Sequence, residues 1–357
     1  MKIVIFSNSS WNLINFRKSL IEFLKKKYQV YLVCKKSKYY SQLETKYKKN
    51  LYLIEDLNNN FLFFFFIQLF NFIKVVKKIS PNVVLSFTHK PNIINILVKF
   101  FFKYRSITVV TGLGSLFIKK KKYYLLSIII KSFYKYANLI IFQNNIDKNF
   151  LNLKNSKIIE GSGVDLKKFK KKKQFNKKKI NFYLISRIIK DKGIYEYFGA
   201  AKRLKNKNFN FFFVGDFSDE NPSRLTKDRF KKLKFQSNVT CYKYKNNVNF
   251  YLNKADCVIL PSYREGFSKI ILESMAKGLP ILGSKVPGVK DLVFNNLNGI
   301  LFEPKNEDSL IEAILKFSNF SYLKRIKLGN ESFKLVKKFY CDEIILKKYL
   351  KIINQKN

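Results

Sequence analysis

The densest chemistry in the chain lies in residues 256–280, which read Asp-Cys-Val-Ile-Leu-Pro-Ser-Tyr-Arg-Glu-Gly-Phe-Ser-Lys-Ile-Ile-Leu-Glu-Ser-Met-Ala-Lys-Gly-Leu-Pro. An apolar run ending at Pro261 predicts a buried strand, and a Glu-Gly loop follows it. Ser268 is then placed to cap a helix predicted to run to Lys277, where Gly278 stops it. Glu265 stands at the carboxyl end of that strand, and Glu273 lies about a turn and a half into the helix. Free N–H groups at the helix start, near Gly266 to Ser268, favour an anion such as a diphosphate. A carboxylate beside such an anion suits the hydroxyls of a ribose or a sugar. The plainer role for Glu273 is to pair with a surface lysine.

Other chemistries find few residues. There is no Asp-x-Asp, only one histidine, and no Cys-x-x-Cys among Cys34, Cys241, Cys257 and Cys341, so no metal is expected and a reduced compartment fits. Neither a Gly-x-x-x-x-Gly-Lys-Ser/Thr loop nor a Gly-x-Ser-x-Gly elbow occurs. His89 comes just past an apolar run at 83–87, and both a ligand contact and a plain loop position stay open for it. Thr111, Gly112 and Gly114 let backbone approach a ligand, although a lone Gly-x-Gly is also an ordinary loop.

These residues need elements to hold them. Short β-branched and aromatic runs at 2–6, 30–34, 83–87, 107–111 and 139–143 alternate with longer amphipathic stretches, the pattern of a parallel sheet covered on both faces. Between the first two, Leu13, Phe16, Leu20, Phe23 and Leu24 recur at helical spacing and predict one helix over 12–27. The Lys-rich stretch 167–179 has no apolar periodicity and is read as a linker. The alternation restarts at 180–186, 209–215, 239–244, 257–261 and 281–284. The expected organisation is an α/β chain with a domain at 1–166, the linker, a domain at 180–332, and a helical tail at 333–357 crossing back to the first domain. Two doubly wound halves of this kind predict a ligand cleft between them.

The chain has 357 residues with 70 Lys plus Arg against 24 Asp plus Glu, a net charge of +46. With 47% apolar and 17% aromatic residues it is a folded protein, not a disordered one. The excess is nearly all Lys and accompanies heavy use of Asn, Ile, Phe and Tyr, which A/T-rich codons alone would produce. No helix-turn-helix, zinc-finger or RNP signature accompanies it, and no nucleic-acid partner is expected. No segment reaches the roughly 18 apolar residues of a spanning helix, and the start is too short for a signal peptide, so a cytoplasmic protein is expected. Residues 61–73 are the nearest approach, read as an interfacial or core helix. Residues 93–105 and 123–136 combine large apolar side chains with Lys, as helices on an anionic membrane surface do and as sheet-covering helices also do.

Glu265 and Glu273 in their 25-residue context resemble the E-x7-E segment of the retaining glycosyltransferases of family GT4, whose GT-B fold pairs two facing Rossmann-like doubly wound domains with a cleft between them. Residues 186–193, Ser-Arg-Ile-Ile-Lys-Asp-Lys-Gly, resemble the family segment whose Arg and Lys hold the donor diphosphate, which implies that role for Arg187 and Lys192. Such fixed cations would stabilise the charge that builds on a departing diphosphate. Phe213-Val-Gly-Asp216 is similar to the family's nucleotide-side turn at Gly215. Residues 11–17 (Trp-Asn-Leu-Ile-Asn-Phe-Arg), 88–92 (Thr-His-Lys-Pro-Asn) and 111–117 (Thr-Gly-Leu-Gly-Ser-Leu-Phe) resemble a branch that extends lipid-diphosphate-linked oligosaccharides, the PglA-like N-acetylgalactosaminyltransferases. Ser7 to Ser10 stand where much of the family has a Gly-Gly turn.

The resemblance implies a retaining transferase that moves a hexose or N-acetylhexosamine from a UDP-sugar to a lipid-diphosphate-linked saccharide at the inner membrane face, with no cofactor. It implies Glu265, Arg187, Lys192 and His89 at the reacting end of the donor, and Glu273 on its ribose with Gly266, Phe267, Ser268 and Gly215 around it. Ser9, Lys90, Thr111, Gly112 and Gly114 are implied on the acceptor side. The alternatives are a UDP-sugar 2-epimerase of the same two-domain architecture, and a basic nucleic-acid-binding protein.

Overall fold

The computed structural model describes every residue except 38, 55–60, 115–123, 172–174, 176–178, 218–220, 222, 245–246 and 356–357, together with the side chains of 61–64 and 124–127. Residues 115–117 of the Gly-x-Gly segment and much of 167–179 therefore lie outside the described residues. The chain forms two compact units, one of Met1–Ser162 with Glu343–Asn357 and one of Gly163–Asp342.

The first unit is built on seven parallel strands, β1 (Lys2–Ser7), β2 (Gln29–Cys34), β3 (Leu51–Leu53), β4 (Val83–Phe87), β5 (Arg105–Val110), β6 (Leu139–Phe142) and β7 (Ser156–Ile158), in the order β3-β2-β1-β4-β5-β6-β7. Alternation along each strand splits the core in two. Ile3, Ile5, Leu85 and Phe87 face Leu13, Leu20, Ile21 and Leu24, whereas Val4, Phe6 and Val84 face Phe72, Val76, Ile94 and Val98. Helices Phe61–Ile79, His89–Lys99 and Tyr124–Tyr134 thus cover one face in succession.

The single helix expected over 12–27 is interrupted. A short helix Ser10–Asn12 passes into a π-turn, Leu13–Arg17, before α-helix resumes at Lys18–Lys25. The extra residue turns Arg17 inward, where it is buried, and apolar periodicity cannot register such an insertion. The stretch 93–105 is likewise not one helix: it ends at Lys99, and Arg105 already opens β5.

The second unit has six parallel strands, β8 (Ile180–Ile185), β9 (Phe209–Gly215), β10 (Val239–Lys243), β11 (Cys257–Leu260), β12 (Ile281–Ser284) and β13 (Gly299–Phe302), in the order β10-β9-β8-β11-β12-β13. Its core is rich in aromatic side chains, with Phe182 stacked on Phe211 at 5.5 Å and Tyr197 edge-on to Phe211 at 5.9 Å.

The divisions between units differ from those read in the sequence. Phe169 is buried in the core of the second unit and Phe175 packs against it, so the Lys-rich stretch begins that unit. Two aromatic anchors suffice to hold an irregular segment that shows no periodicity. The tail also divides later than residue 333. Helix Tyr322–Leu335 and the π-turn Val336–Tyr340 belong to the second unit, and only helix Asp342–Asn354 returns. That helix buries Ile345, Tyr349, Ile352 and Ile353 in the first unit's core, while Arg105 Nη1 donates to the Ile352 carbonyl at 2.8 Å and Tyr28 Oη to Asn354 Oδ1 at 2.6 Å.

Removal of 343–357 exposes those four side chains' worth of core, a loss of roughly 6–12 kcal/mol at about 1.5–3 kcal/mol each, which is the scale of a whole domain's stability. Hydrogen exchange on the truncated chain is expected to lose protection across the first unit and to keep it across the second.

Candidate functional site

In the second sheet the strand order reverses between β8 and β11, and the loops that leave these two strands meet. The chain turns through a 3-10 segment, Lys190–Lys192, into Gly193 at φ 67°. A Cβ on Gly193 would run into the Pro261 carbonyl, so only glycine lets the loop after β8 lie against the end of β11. Tyr263 N donates to the Asp191 carbonyl at 2.8 Å, and Ser223 Oγ donates to Asp191 Oδ2 at 2.7 Å. Tyr263 Oη adds a bond to Glu196 Oε1 at 2.7 Å.

On this frame Lys192 Nζ forms an ion pair with Glu265 Oε1, which also accepts from Ser262 Oγ at 2.7 Å. The two side chains are only 18% and 13% exposed, so the pair is screened far less than a surface one. Gly288 at φ 74° presses on the Glu265–Gly266 backbone from behind, where a Cβ would meet the Gly266 carbonyl. The guanidinium of Arg187 is at the surface, on the same loop. Desolvation lowers its pKa, and the charges of Glu265 and Asp191 oppose that.

Helix Lys269–Ala276 begins beside this pair. Ser268 is its N-cap residue, but the expected cap is not made: the hydroxyl forms no hydrogen bond to the first turn and so does not occupy its N–H groups. Phe267 packs edge-on against Tyr340 at 5.5 Å, which fixes the approach to the helix. Glu273 is buried at 8% exposure, with Lys269 Nζ at 3.7 Å one turn back. Burial pushes its pKa up, while Lys269 and Lys168 pull it down. A solvated surface pair would not pay that desolvation. Gly215 ends β9, where a Cβ would meet the Ser186 carbonyl, so its part is close packing of β9 on the loop after β8.

In the first unit the expected residues follow β1, β4 and β5, which are adjacent in the sheet. The Ser9 hydroxyl caps helix Ser10–Asn12 by accepting from Asn12 N at 3.2 Å. His89 is not in a loop but opens helix His89–Lys99, with Lys90 beside it. Its Nδ1 lies 3.2 Å from Tyr134 Oη, which also receives Asn92 Nδ2 at 2.9 Å. Burial lowers the His89 pKa, against the backbone of Gly112 and the charge of Asp147. Thr111 and Gly112 are half-buried and Gly114 is exposed. Asp147 Oδ2 accepts from Leu113 N at 3.3 Å and steadies that loop.

The sequence reading missed Ser262, Asp191, Ser223 and Gly288. Ser262 lay within the quoted segment, and its position three residues before Glu265 was the available signal. Ser223 and Gly288 carried none, because only the fold brings them to the loop. Among the described residues no group of three or more His, Cys, Asp or Glu is placed to hold a metal ion.

The family model for glycosyl transferases group 1 matches residues 165–334. An N,N'-diacetylbacillosaminyl-diphospho-undecaprenol alpha-1,3-N-acetylgalactosaminyltransferase from Campylobacter jejuni is 30% identical, over 99% of this chain and 99% of its own. A capsular polysaccharide biosynthesis glycosyltransferase, CapM, from Staphylococcus aureus is 26% identical, over 91% and 90%. Anabaena HepE, solved with UDP and glucose, superposes with a TM-score of 0.82 at 14% identity over 99% of both chains, so this chain has the GT-B fold of such enzymes. The comparisons lend nothing to the epimerase reading.

Glu273→Gln removes a charge that the fold desolvates and keeps the side-chain volume. The expected result is a ligand-free protein more stable by about 1 kcal/mol, or roughly 2–4 °C in melting temperature for a unit of this size. Because the native Glu273 pKa is raised, the wild type binds the proton more readily when folded, and the gain should shrink as the pH falls through the carboxylate range. Melting curves of both proteins between neutral and acid pH read this directly.

Proposed function

The chain belongs to the group 1 glycosyl transferases, and from that premise we propose that it moves a hexose or N-acetylhexosamine from a UDP-sugar to a lipid-diphosphate-linked saccharide, with retention at the anomeric carbon. The two relatives' names, one acting on a diphospho-undecaprenol saccharide and one in capsule synthesis, support a place in surface-glycan assembly. The observation that carries the reading is the Lys192–Glu265 pair across the reversal between β8 and β11, with Arg187 on one side and the start of helix Lys269–Ala276 on the other.

The pair lets two desolvated charges neutralise each other while the site waits. When the donor arrives, Lys192 and Arg187 turn to its diphosphate, which the positive end of the helix dipole also favours. Glu265 is released to accept from the sugar hydroxyls, and the buried Glu273 accepts from the ribose. In the reaction the bond from the anomeric carbon to the diphosphate oxygen breaks as the acceptor oxygen bonds to that carbon on the same face. The acceptor's proton passes to the departing phosphate oxygen, and UDP leaves with its charge held by Arg187 and Lys192. No side-chain base is required, which agrees with a site whose carboxylates are occupied by hydroxyls. His89 serves the reacting end of the donor, and Ser9, Lys90, Thr111, Gly112 and Gly114 serve the acceptor side.

The acceptor's lipid calls for attachment to a membrane, and one face of the first unit has the composition for it. Phe66 and Phe70 on helix Phe61–Ile79, Phe100 and Phe101 after helix His89–Lys99, and Ile128 and Ile129 on helix Tyr124–Tyr134 are all exposed, Phe101 to 75%. Lys74 lies over the Phe70 ring at 4.6 Å, and Lys99 Nζ donates to the Tyr136 carbonyl at 2.9 Å. Large apolar tips among lysines suit the interface of an anionic bilayer. No helix among the described residues is long and apolar enough to cross one.

Two experiments test these assignments. Lys192→Met is expected to lower kcat by about 10²–10³-fold with UDP-sugar and a lipid-diphosphate acceptor, the scale of losing one transition-state donor; turnover within twofold of wild type would overturn the diphosphate assignment. The double variant Phe100→Ser, Phe101→Ser should reduce sedimentation with anionic liposomes by roughly tenfold or more, given about 1.5–3 kcal/mol for each buried aromatic. Unchanged sedimentation would remove the proposed face.

A further inference from the structure

We propose that Arg17, together with the strained turn at Thr88, forms a phosphate-binding subsite at the strand reversal of the first sheet, and that it receives the diphosphate of the acceptor. The second clause rests on the proposed reading of a lipid-diphosphate acceptor; the first does not.

Arg17 is 2% exposed, and the π-turn Leu13–Arg17 directs it into the core. Its guanidinium carbon lies 3.9 Å from the centroid of the Phe87 ring, at the end of β4. Nε is buried without a partner, and among the described residues the guanidinium makes no hydrogen bond and no ion pair. Among the described residues the titratable neighbour that acts on it is Tyr349 of the C-terminal helix, whose own hydroxyl is buried without a partner there. Desolvation brings the Arg17 pKa down to about 10, so it remains a cation at neutral pH. A buried cation normally has an anion beside it, because desolvation is otherwise uncompensated. Here the described residues supply none.

Thr88, the next residue after Phe87, stands at φ 74°, an unfavourable conformation for a β-branched side chain, and its Oγ1 is also buried without a partner. Strain of this kind persists where a site requires it. Both features lie where β1 and β4 adjoin and the strand order reverses, which is where doubly wound sheets take ligands. A planar guanidinium fork with a hydroxyl nearby matches the oxygens of a phosphate. The acceptor brings two phosphates, whose charge would balance that of Arg17.

The test is calorimetric titration of the full chain with inorganic pyrophosphate after saturation with UDP, which occupies the donor site first. Wild type is expected to bind pyrophosphate beyond UDP. Arg17→Met should weaken that binding roughly tenfold or more, the loss of a charge-assisted contact, and Arg17→Lys should fall between. UDP affinity should not change in either variant. With a short prenyl-diphosphate saccharide, the acceptor KM should rise while the donor KM stays constant. Ligand-free Arg17→Met should melt no lower than wild type, since the unpaired buried charge is gone; a purely structural arginine would lower it. Pyrophosphate binding equal to wild type in Arg17→Met, or in Arg17→Lys if the first variant does not fold, overturns the proposal, as does a UDP-saturated wild type that binds no pyrophosphate. Failure of wild type to bind UDP would sink the donor reading alone, and the difference made by Arg17 would still be read from pyrophosphate by itself.

Discussion

Each sheet reverses its strand order once, between β1 and β4 in the first and between β8 and β11 in the second. Crossovers of one hand must pass on opposite faces on either side of a reversal, so the helices that follow the two central strands lie on opposite faces and the ends of those strands are left to their loops. The residues with chemistry gather there. In the second unit the two loops are bridged by Lys192 and Glu265, each held by a loop locked onto its neighbour through Gly193 and Gly288. Parallel pairing sets the positions of the loops, and the loops set the distance between the charges.

The two units treat buried charge differently. In the second, two desolvated groups of the site have opposite charges already present: Lys192 has Glu265, and Glu273 has Lys269 and Lys168. In the first, Arg17 has among the described residues an aromatic ring and a phenol but no carboxylate. Against these few groups, most of the +46 charge is solvated and contributes little to stability; surface pairs such as Arg203–Asp308 belong to that class. A net charge of this size sets a long-range field around the chain that favours anions in general.

Much of this was legible in the chain because a parallel strand buried on both faces must be almost wholly apolar. The runs 83–87, 209–215 and 281–284 match β4, β9 and β12, and the other central strands lie within a residue or two at each end. The edge strands β3, β7 and β13 were not seen, since three or four residues give no periodicity. The pair of carboxylates around the start of helix Lys269–Ala276 was readable from local order alone: strand, loop, helix, with Glu265 and Glu273 in phase.

The sequence by itself determined the doubly wound architecture, the helix start that favours an anion, and the identity of the cations and carboxylates near it, because these follow from short-range order and residue type. Only the tertiary structure decided which of them touch. It joined Lys192 to Glu265 across 73 residues, brought Ser262 and Ser223 into the loop frame, left the Ser268 hydroxyl out of the cap, and turned Arg17 inward on a π-turn to face Phe87 rather than a carboxylate. Contacts between residues distant in the chain depend on strand order and loop closure, and one inserted residue in a helix rotates everything after it; neither leaves a mark in local composition.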